Sequence, residues 1–471
     1  MCRVLPPPAQ PPGVFGGGGG LPPPAGLGIV DLMQTIHIDS LIHARWVIPV
    51  EPDGVVLEDH ALAVHKGRVL ELLPSIAATQ KFSPHTEYHL PEHALIPGLV
   101  NAHTHAAMSL LRGLADDKPL MEWLQKHIWP TEARLVGEDF VRDGTRLAMA
   151  EMIRGGTTCF NDMYFFPDVT AHAVAEVGMR AGIGLIVIDF PSAWAPDTDA
   201  YIQQGLDLFE QYQGHPLLSF SFAPHAPYTV SDGPLTRIKA LSEELNLPVH
   251  IHVHETAHEV QEALARDGMR PLQRLQQLGL VNPRLQAVHM TQLAAADIAL
   301  LAEHGAHVLH CPESNLKLAS GFCPLASLRQ AGVNVALGTD GAASNNDLDM
   351  FGEMRTAALL AKGVSGDAAA IPAKEALRMA TLQGARALGL GSEIGSLLPG
   401  KSADCVAIRL QELETLPLYD PISHLVYAAS RHAVTDVWVA GEPLLRERRL
   451  TTLDEAALMQ TAQTWRTRVL A

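Results

Sequence analysis

The sequence predicts an α/β protein: a (β/α)8 TIM barrel with a small β-sandwich formed from N- and C-terminal segments. Three observations predict this fold. In the middle of the chain, eight apolar, strand-like runs are each followed by a helical stretch, and that alternation is typical of a parallel barrel. Short β-like segments flank this middle part on both sides. The length of 471 residues suits a large barrel with a smaller domain attached.

The chain begins with a stretch dense in Pro and Gly, MCRVLPPPAQPPGVFGGGGGLPPPAG. Such a composition cannot bury a core or sustain a helix, so residues 1–32 are expected to form a flexible tail. The β-like segments then place the sandwich domain at 33–96 and 395–450, and the barrel at 97–394. Residues 451–471 are expected to form a C-terminal helix.

Composition excludes several classes of function. The formal net charge of −17 argues against a nucleic-acid surface, which needs clustered Lys and Arg. No segment offers 18 uninterrupted apolar residues, so no membrane span is expected. The five cysteines are scattered and odd in number, which fits reduced thiols in a cytoplasmic protein.

The eight runs end in polar residues, and in this fold the chemistry lies at the carboxyl ends of the strands. The runs are ALIPGLVNAHTH, GTTCFNDM, AGIGLIVIDF, LLSFSFAPHAP, LPVHIHVHET, LQAVHMT, AHVLHCPESN and NVALGTDGA. Their polar ends are His105, Asp162, Asp189, His225, Glu255, His289, Asn315 and Asp340.

Histidines at alternate positions suggest a metal centre. His103 and His105 would share one face of the first strand, although alone they could be a polar strand end. In the fifth run three alternating histidines, 250, 252 and 254, are costly to bury without partners, and one of them is a natural third ligand. Asp340, in the sequence GTDG, can place a carboxylate at the rim. Three imidazoles and a carboxylate suit Zn²⁺, with Fe²⁺ as the main competitor.

Longer stretches carry a resemblance to a known family. They are PGLVNAHTH, LLRGLADDKPLMEWLQKHIWPTEA, SFAPHAPYTV, HVHET, HCPESNLKLASG and LGTDGAASNNDLDMF. From about Ser40 to Leu445 the chain resembles the amidohydrolase superfamily. Within it, the chain is most similar to the branch of 5′-methylthioadenosine/S-adenosylhomocysteine deaminases and related aminohydrolases.

The resemblance implies roles for individual residues. The implied metal ligands are His103, His105, His252 and Asp340, and the implied catalytic residues are Glu255 as proton shuttle, His289 beside the attacking water, and Asp340. The implied substrate contacts are Trp123, Glu132, His225 and Glu255. The fourth run has no Lys that could bridge two metals as in other members, so one zinc per subunit is expected, with Fe²⁺ possible.

Each of these residues also has a plainer interpretation. Glu255 could cap the helix that follows it, Glu132 could be a solvated helix residue, Trp123 a core residue, and His225 simply the end of a strand.

The implied activity is the hydrolytic deamination of adenine nucleosides: 5′-methylthioadenosine, S-adenosylhomocysteine, 5′-deoxyadenosine or adenosine. The products would be ammonia and an inosine-type nucleoside. Related aminohydrolases or chlorohydrolases acting on an s-triazine, guanine or cytosine are the alternative, and a non-catalytic metal-binding protein is a further one. A cytoplasmic homo-oligomer, a dimer or tetramer, is expected.

One feature departs from the family. Its well-studied members place arginines between the third and fourth strands, near the 5′ end of the sugar. Here no Arg or Lys occurs from Ala181 to Thr236. A substrate with a carboxylate in its 5′ tail therefore needs a cation from elsewhere, such as Arg112, Arg134 or a partner subunit.

Overall fold

The computed structural model describes residues 35–471, so the predicted tail at 1–32 lies outside the described residues. The described part forms two eight-stranded sheets. Its strands are β1 (Ile36–Val47), β2 (Leu57–His65), β3 (Arg68–Pro74), β4 (Phe82–Pro97), β5 (Leu99–Thr104), β6 (Thr157–Met163), β7 (Arg180–Val187), β8 (Leu218–Pro224), β9 (Val249–Val253), β10 (Leu285–His289), β11 (His307–His310), β12 (Asn334–Leu337), β13 (Cys405–Arg409), β14 (Val434–Val439), β15 (Glu442–Arg446) and β16 (Arg449–Leu450).

Helices connect the strands of the barrel and flank the second sheet. They are α1 (Ser75–Lys81), α2 (Leu120–Trp123), α3 (Trp129–Leu135), α4 (Glu138–Arg154), α5 (Pro167–Val177), α6 (Thr198–Gln211), α7 (Asp232–Leu245), α8 (Ala257–Asp267), α9 (Pro271–Gln277), α10 (Ala295–His304), α11 (Pro312–Lys317), α12 (Leu325–Gln330), α13 (Met350–Ser365), α14 (Ala373–Met379), α15 (Leu382–Ala387), α16 (Pro421–Tyr427) and α17 (Glu455–Leu470). No helix of the described part is both long and apolar enough to cross a membrane.

Strands β5 to β12 follow one another in order and pair in parallel around a nearly closed barrel. Each of the eight predicted runs supplies one strand, so the predicted fold class is confirmed. The last barrel strand, β12, meets the first, β5, through side-chain hydrogen bonds and one backbone hydrogen bond. Asn101 Nδ2 donates to Thr339 Oγ1 at 2.7 Å, and the Asp340 amide donates to the His103 carbonyl at 3.0 Å.

The second sheet combines both ends of the described chain, in the order β16-β15-β14-β13-β4-β1-β2-β3. Successive residues of β1 serve different hydrophobic clusters: Leu41 packs in one and Ile42 in the other. Because neighbouring side chains of a strand point to opposite faces, this sheet buries apolar groups on both sides. Strand β4 runs to Pro97 and β5 starts at Leu99, so the chain passes directly from this sheet into the barrel.

An interrupted helix lies over the mouth of the barrel. It consists of α2, a π-helical turn at Leu124–Ile128 and α3. Pro130 near the start of α3 has no N–H to donate to the preceding turn, and the Trp129 amide donates to the Leu124 carbonyl five residues back. A proline thus accounts for the widened turn.

Helix α17 packs against α4 beside this region. The ring of Trp465 contacts Phe140 edge-on at 5.2 Å between centroids, and its Nε1 donates to Asp143 at 2.9 Å. Arg134 donates to the carbonyl of Val469 at 2.7 Å. These contacts anchor the C-terminal helix to the side of the barrel mouth.

Candidate active site

Four side chains from three parts of the barrel meet at the carboxyl ends of the strands. His103 lies in β5, His105 directly after it, His252 in β9, and Asp340 three residues after β12. The Nε2 atoms of His103 and His252 are 3.2 Å apart, and the Nε2 atoms of His103 and His105 lie 3.4 and 3.3 Å from Asp340 Oδ1. Donors bound tetrahedrally at about 2.0–2.1 Å are about 3.3 Å apart. The spacing of these four groups therefore fits one divalent cation of zinc size.

The other nitrogen of each imidazole is held by the protein. Nδ1 of His103 faces Nε2 of His250 at 2.8 Å, Nδ1 of His105 faces the Met163 carbonyl at 2.5 Å, and Nδ1 of His252 faces the His225 carbonyl at 2.7 Å. Protein metal sites commonly fix imidazole ligands in this way. All three rings consequently present Nε2 to the same point.

Asp340 is oriented by three donors. The hydroxyls of Ser314 and Ser344 donate to its Oδ2 at 2.7 and 2.8 Å, and the Gly341 amide donates to Oδ1 at 2.8 Å. Burial alone would lower the pKa of His105, but the hydrogen bond and the charge of Asp340 raise it to about 9. The negative charge of Asp340 therefore stabilises a positive charge beside it. A bound metal cation can provide that positive charge.

Several residues at these strand ends have left-handed backbone conformations, with φ of 62° at Asp340, 72° at His289 and 55° at His254. Such a conformation costs free energy in a residue other than glycine, and it clusters at functional sites. Gly338 meets a different requirement, since a Cβ there would be 2.7 Å from the His103 amide nitrogen. Glycine at this position lets the end of β12 approach β5.

Glu255 and His289 lie next to the four-residue cluster. Glu255 Oε2 is 3.7 Å from His289 Nε2, and His289 Nδ1 faces the Asn315 side-chain oxygen at 2.9 Å. Burial raises the pKa of Glu255, although His289 opposes the shift. The N-cap of α8 is Thr256, whose hydroxyl accepts the Glu259 amide at 3.2 Å. Glu255 therefore does not cap this helix, and its carboxyl group faces the cavity.

The backbone of Glu255 is held from behind by Glu259. The carboxylate of Glu259 accepts the amides of His254 and Glu255 at 3.0 and 2.7 Å. Sequence reasoning did not identify Glu259, although the spacing Thr256-x-x-Glu259 is a capping-box pattern that could have indicated it.

A cavity of about 830 Å³, counting space open to solvent, lies above the cluster. This volume is in the range of small-molecule sites. Its walls include all the predicted site residues except the deeply buried His103: His105, Trp123, Glu132, His225, His252, Glu255, His289 and Asp340. Trp123 is also a core residue of the covering helix, at 5% exposure. The structure thus brings the predicted site residues together in one place.

Glu132 is half-buried as a residue, but its carboxyl group points into the cavity. Tyr164 donates its hydroxyl to Glu132 Oε1 at 2.6 Å. Burial raises the pKa of Glu132 to about 7. His225 presents its ring to the same cavity and is fixed by Thr229, whose hydroxyl lies 2.9 Å from Nδ1. Oε2 of Glu132 remains available to hydroxyl groups of a ligand.

Among the described residues, no Lys or Arg lines this cavity. Arg112 pairs with Glu151 and donates to the Asn346 carbonyl at 2.6 Å, while Arg134 donates to carbonyls of α17. Neither of the two arginines proposed from the sequence therefore faces the ligand space. Arg266 and Arg274 line a neighbouring recess beyond Tyr228, and they pair with Asp267 and Asp232.

Some polar strand ends lie outside the cluster. Asp189 accepts the Ser231 amide at 2.8 Å and joins two loops. Asn315 was expected to end a strand, but β11 ends at His310 and Asn315 lies in α11. From there it reaches His289 instead. His254 joins the β9 end to α9 by accepting the Leu272 amide at 3.1 Å.

A buried polar network beneath His103 was not foreseen. His250 contacts His103 on one side and Asn161 on the other, where Asn161 Nδ2 lies 3.2 Å from His250 Nδ1. Asn161 also donates to Gln286 at 3.1 Å. No local sequence pattern marks Asn161 or Gln286, because the side-chain partners of Asn161, His250 and Gln286, are 89 and 125 residues away along the chain.

Comparison with known proteins shows which proteins this chain is similar to. The chain is 52% identical over 435 residues to the 5-methylthioadenosine/S-adenosylhomocysteine deaminase of Teredinibacter turnerae. The aligned residues cover 92% of this chain and 98% of that protein. It is also similar to the crystal structure of an adenosine deaminase from Xanthomonas campestris with bound zinc, with 56% identity, a TM-score of 0.92, and coverage of 92% and 99% of the two chains.

A more distant structure shows the same fold. The atrazine chlorohydrolase of Arthrobacter aurescens has a TM-score of 0.85 at 21% identity, covering 90% of this chain and 99% of that one. The model of the amidohydrolase family matches residues 94–444. Since that match spans most of the sequence, including the whole barrel, this chain belongs to the amidohydrolase family.

Proposed function

We propose that this protein is a metal-dependent hydrolase that deaminates adenine nucleosides. The substrates are 5′-methylthioadenosine, 5′-deoxyadenosine, adenosine and S-adenosylhomocysteine, and the products are ammonia and an inosine-type nucleoside. One observation carries the proposal: a single cavity joins a metal-ligand cluster, the Glu255–His289 pair and the Glu132 carboxyl group. The names of the close relatives support the same reaction.

The proposed ligands of the metal ion are His103, His105, His252 and Asp340. Burial lowers the pKa of His103 to about 4, so this imidazole is neutral and can donate its lone pair. A divalent metal bound at this point lowers the pKa of water to about 7 and so provides a nucleophile at neutral pH. Three imidazoles and one carboxylate favour Zn²⁺ over Fe²⁺, and we propose one ion per barrel.

The proposed proton transfers use three residues of the chain. Asp340 accepts a proton from the attacking water, and His289 orients that water and stabilises the charge that develops. Glu255 protonates the ring nitrogen beside the attacked carbon, which makes that carbon electrophilic. The Glu255 carboxylate left by this transfer then takes up a proton that came from the attacking water and passes it to the departing amino group, which leaves as ammonia. A raised pKa allows this double role.

The proposed substrate contacts are Glu132, His225 and Trp123. The Glu132 carboxylate has Oε2 available for ribose hydroxyls, because Tyr164 occupies only Oε1. His225 offers a hydrogen-bonding ring, and Trp123 offers an aromatic face to a purine or a thioalkyl group. A carboxylate placed for two hydroxyls favours a riboside over guanine, cytosine or an s-triazine.

An ammonia-release screen tests the proposal. The substrates are adenosine, 5′-deoxyadenosine, methylthioadenosine, S-adenosylhomocysteine, guanine and a chlorotriazine, each with and without a chelator. We expect turnover of the adenine nucleosides and its loss on chelation. Turnover of guanine or the triazine alone would contradict the proposed substrate, and turnover that resists removal of the metal would contradict the proposed mechanism.

The proposed setting is a cytoplasmic homo-oligomer, a dimer or tetramer. The four cysteines of the described part, Cys159, Cys311, Cys323 and Cys405, are all buried and free, which is compatible with a reducing compartment. Sedimentation analysis of the purified chain would determine the number of subunits.

A further inference from the structure

A second group of side chains of the types that bind metals lies in the other sheet, away from the barrel. His43 of β1 and His89 of β4 are directly opposite each other in a parallel pair, and Glu87 precedes His89 by two residues on the same strand. Residues two apart on a strand share a face, so the three side chains project together from the middle of the sheet. Their donor atoms all lie within 4.8 Å of one another.

The geometry of this group is that of converging ligands. The two imidazole rings stack with centroids 4.9 Å apart and planes 11° apart. Both Nε2 atoms face the same oxygen, Glu87 Oε1, at 3.0 Å from His43 and 3.6 Å from His89. The longer distance is beyond a good hydrogen bond. The two values lie on either side of the roughly 3.3 Å that separates donors on one tetrahedral zinc ion.

The three side chains differ in their exposure to solvent. The His89 side chain is 68% exposed, so it has ample room to turn into solvent, yet its ring stays stacked on His43 with Nε2 directed at the carboxylate. The His43 side chain is largely buried, at 10% exposure.

We propose that His43, Glu87 and His89 form a second metal site, for a divalent cation of the borderline class such as Zn²⁺ or Cu²⁺. Two imidazoles and a carboxylate are ligands that these ions accept, and the open side of the site leaves a position for water. The bound ion connects β1 to β4, the central pair of the sheet. Its role is structural, because a ligand that binds only the folded state stabilises that state.

Equilibrium dialysis of the full chain against Zn²⁺, after removal of metal with a chelator, tests the site. The decisive variant is His89→Ala, and the matched control is His85→Ala, which removes an exposed histidine four residues earlier on the same strand. We expect two zinc ions per chain in the wild type and in the control, and one in His89→Ala. Circular dichroism checks that each variant is folded.

Two further measurements separate this site from the barrel. His103→Ala is expected to keep the zinc ion of the sheet, and His89→Ala is expected to keep the deaminase activity of the zinc-loaded wild type. Zinc should also raise the Tm of the wild type more than that of His89→Ala. Equal zinc contents in the wild type and His89→Ala, or loss of one ion in His85→Ala, would overturn the assignment.

Discussion

At the scale of single residues, Glu255 has the environment that a proton shuttle requires. Its carboxyl group is buried, it lies beside His289, and Glu259 holds its backbone in place. Burial raises the pKa of Glu255, which brings it closer to the neutral range in which one group can both donate and accept a proton.

Replacing Glu255 with Gln should separate catalysis from metal binding. Glu255→Gln keeps the shape of the side chain but removes the proton, so we expect kcat to fall by at least ~10² while the metal content persists. Glu303→Gln, an exposed position on α10, is the control and should be indistinguishable from the wild type. Loss of metal in Glu255→Gln would instead identify Glu255 as a ligand.

Glu132 should give the reaction a dependence on pH near neutrality. Its pKa is raised to about 7 by burial, so the carboxylate that accepts ribose hydroxyls forms as the pH rises through 7. We expect kcat/KM for ribosides to increase over this range and then level off. Glu132→Gln should remove that limb of the profile, whereas Glu138→Gln, an exposed neighbour in the first turn of α4, should retain it.

The same substitution should discriminate between ribosides and free bases. Two hydrogen bonds to a charged group are worth about 3–6 kcal/mol together, which is roughly 10²–10⁴ in kcat/KM. In Glu132→Gln, kcat/KM for methylthioadenosine should fall by this factor, while any slow turnover of adenine should be unaffected. An equal loss for both substrates would show that Glu132 acts on the ring or on the fold rather than on the sugar.

At the scale of elements, the approach of β12 to β5 depends on the absence of a side chain at Gly338. A Cβ there would lie 2.7 Å from the His103 amide nitrogen and 2.9 Å from the His103 Cβ. These neighbours are backbone atoms and the Cβ of the buried His103, so they have little freedom to move away.

Gly338→Ala should therefore weaken both the fold and the metal centre. Overpacking of this kind costs about 1–3 kcal/mol of unfolding free energy, and His103 should bind zinc less tightly because its strand is displaced. Gly363→Ala is the control, since Gly363 in α13 has no neighbour within 4 Å. That change should instead stabilise the helix by about 0.5–1 kcal/mol. Denaturant titrations of both variants would measure the difference.

Elements were the most predictable level of this structure. Each of the eight runs became a strand because buried parallel strands are continuous apolar segments, which are visible locally. The π turn at Leu124–Ile128 and the helical position of Asn315 were not foreseen, since they depend on how each helix meets the barrel. In the site, alternating histidines could be read from the sequence, whereas the partners of Asn161 and Tyr164 lie far away along the chain and could not.

At the scale of the whole molecule, the lack of cations among the described residues of the cavity limits which 5′ tails of a substrate can bind well. The described lining has no Lys or Arg, and the net charge of the chain is −17. Arg266 and Arg274 in the neighbouring recess already pair with carboxylates. A homocysteine carboxylate would therefore find no free cation within this cavity.

We accordingly expect methylthioadenosine and 5′-deoxyadenosine to equal or exceed S-adenosylhomocysteine in kcat/KM. Steady-state kinetics with the three substrates at low and high salt would test this, because salt screens long-range repulsion and should narrow any gap. A strong preference for S-adenosylhomocysteine would mean that a cation reaches the tail from the neighbouring recess or from another subunit.

The sheet that joins both ends of the chain has a consequence for synthesis on the ribosome. Strand β4 pairs with β13, yet about 300 residues separate them, and the ribosome needs roughly 15–60 s to add these at 5–20 residues per second. During that time the edge of β4 has no partner, and an unpaired edge is a template for aggregation. A chain that stops before Cys405 should therefore accumulate in the insoluble fraction of an expressing cell, even though it contains every strand of the barrel.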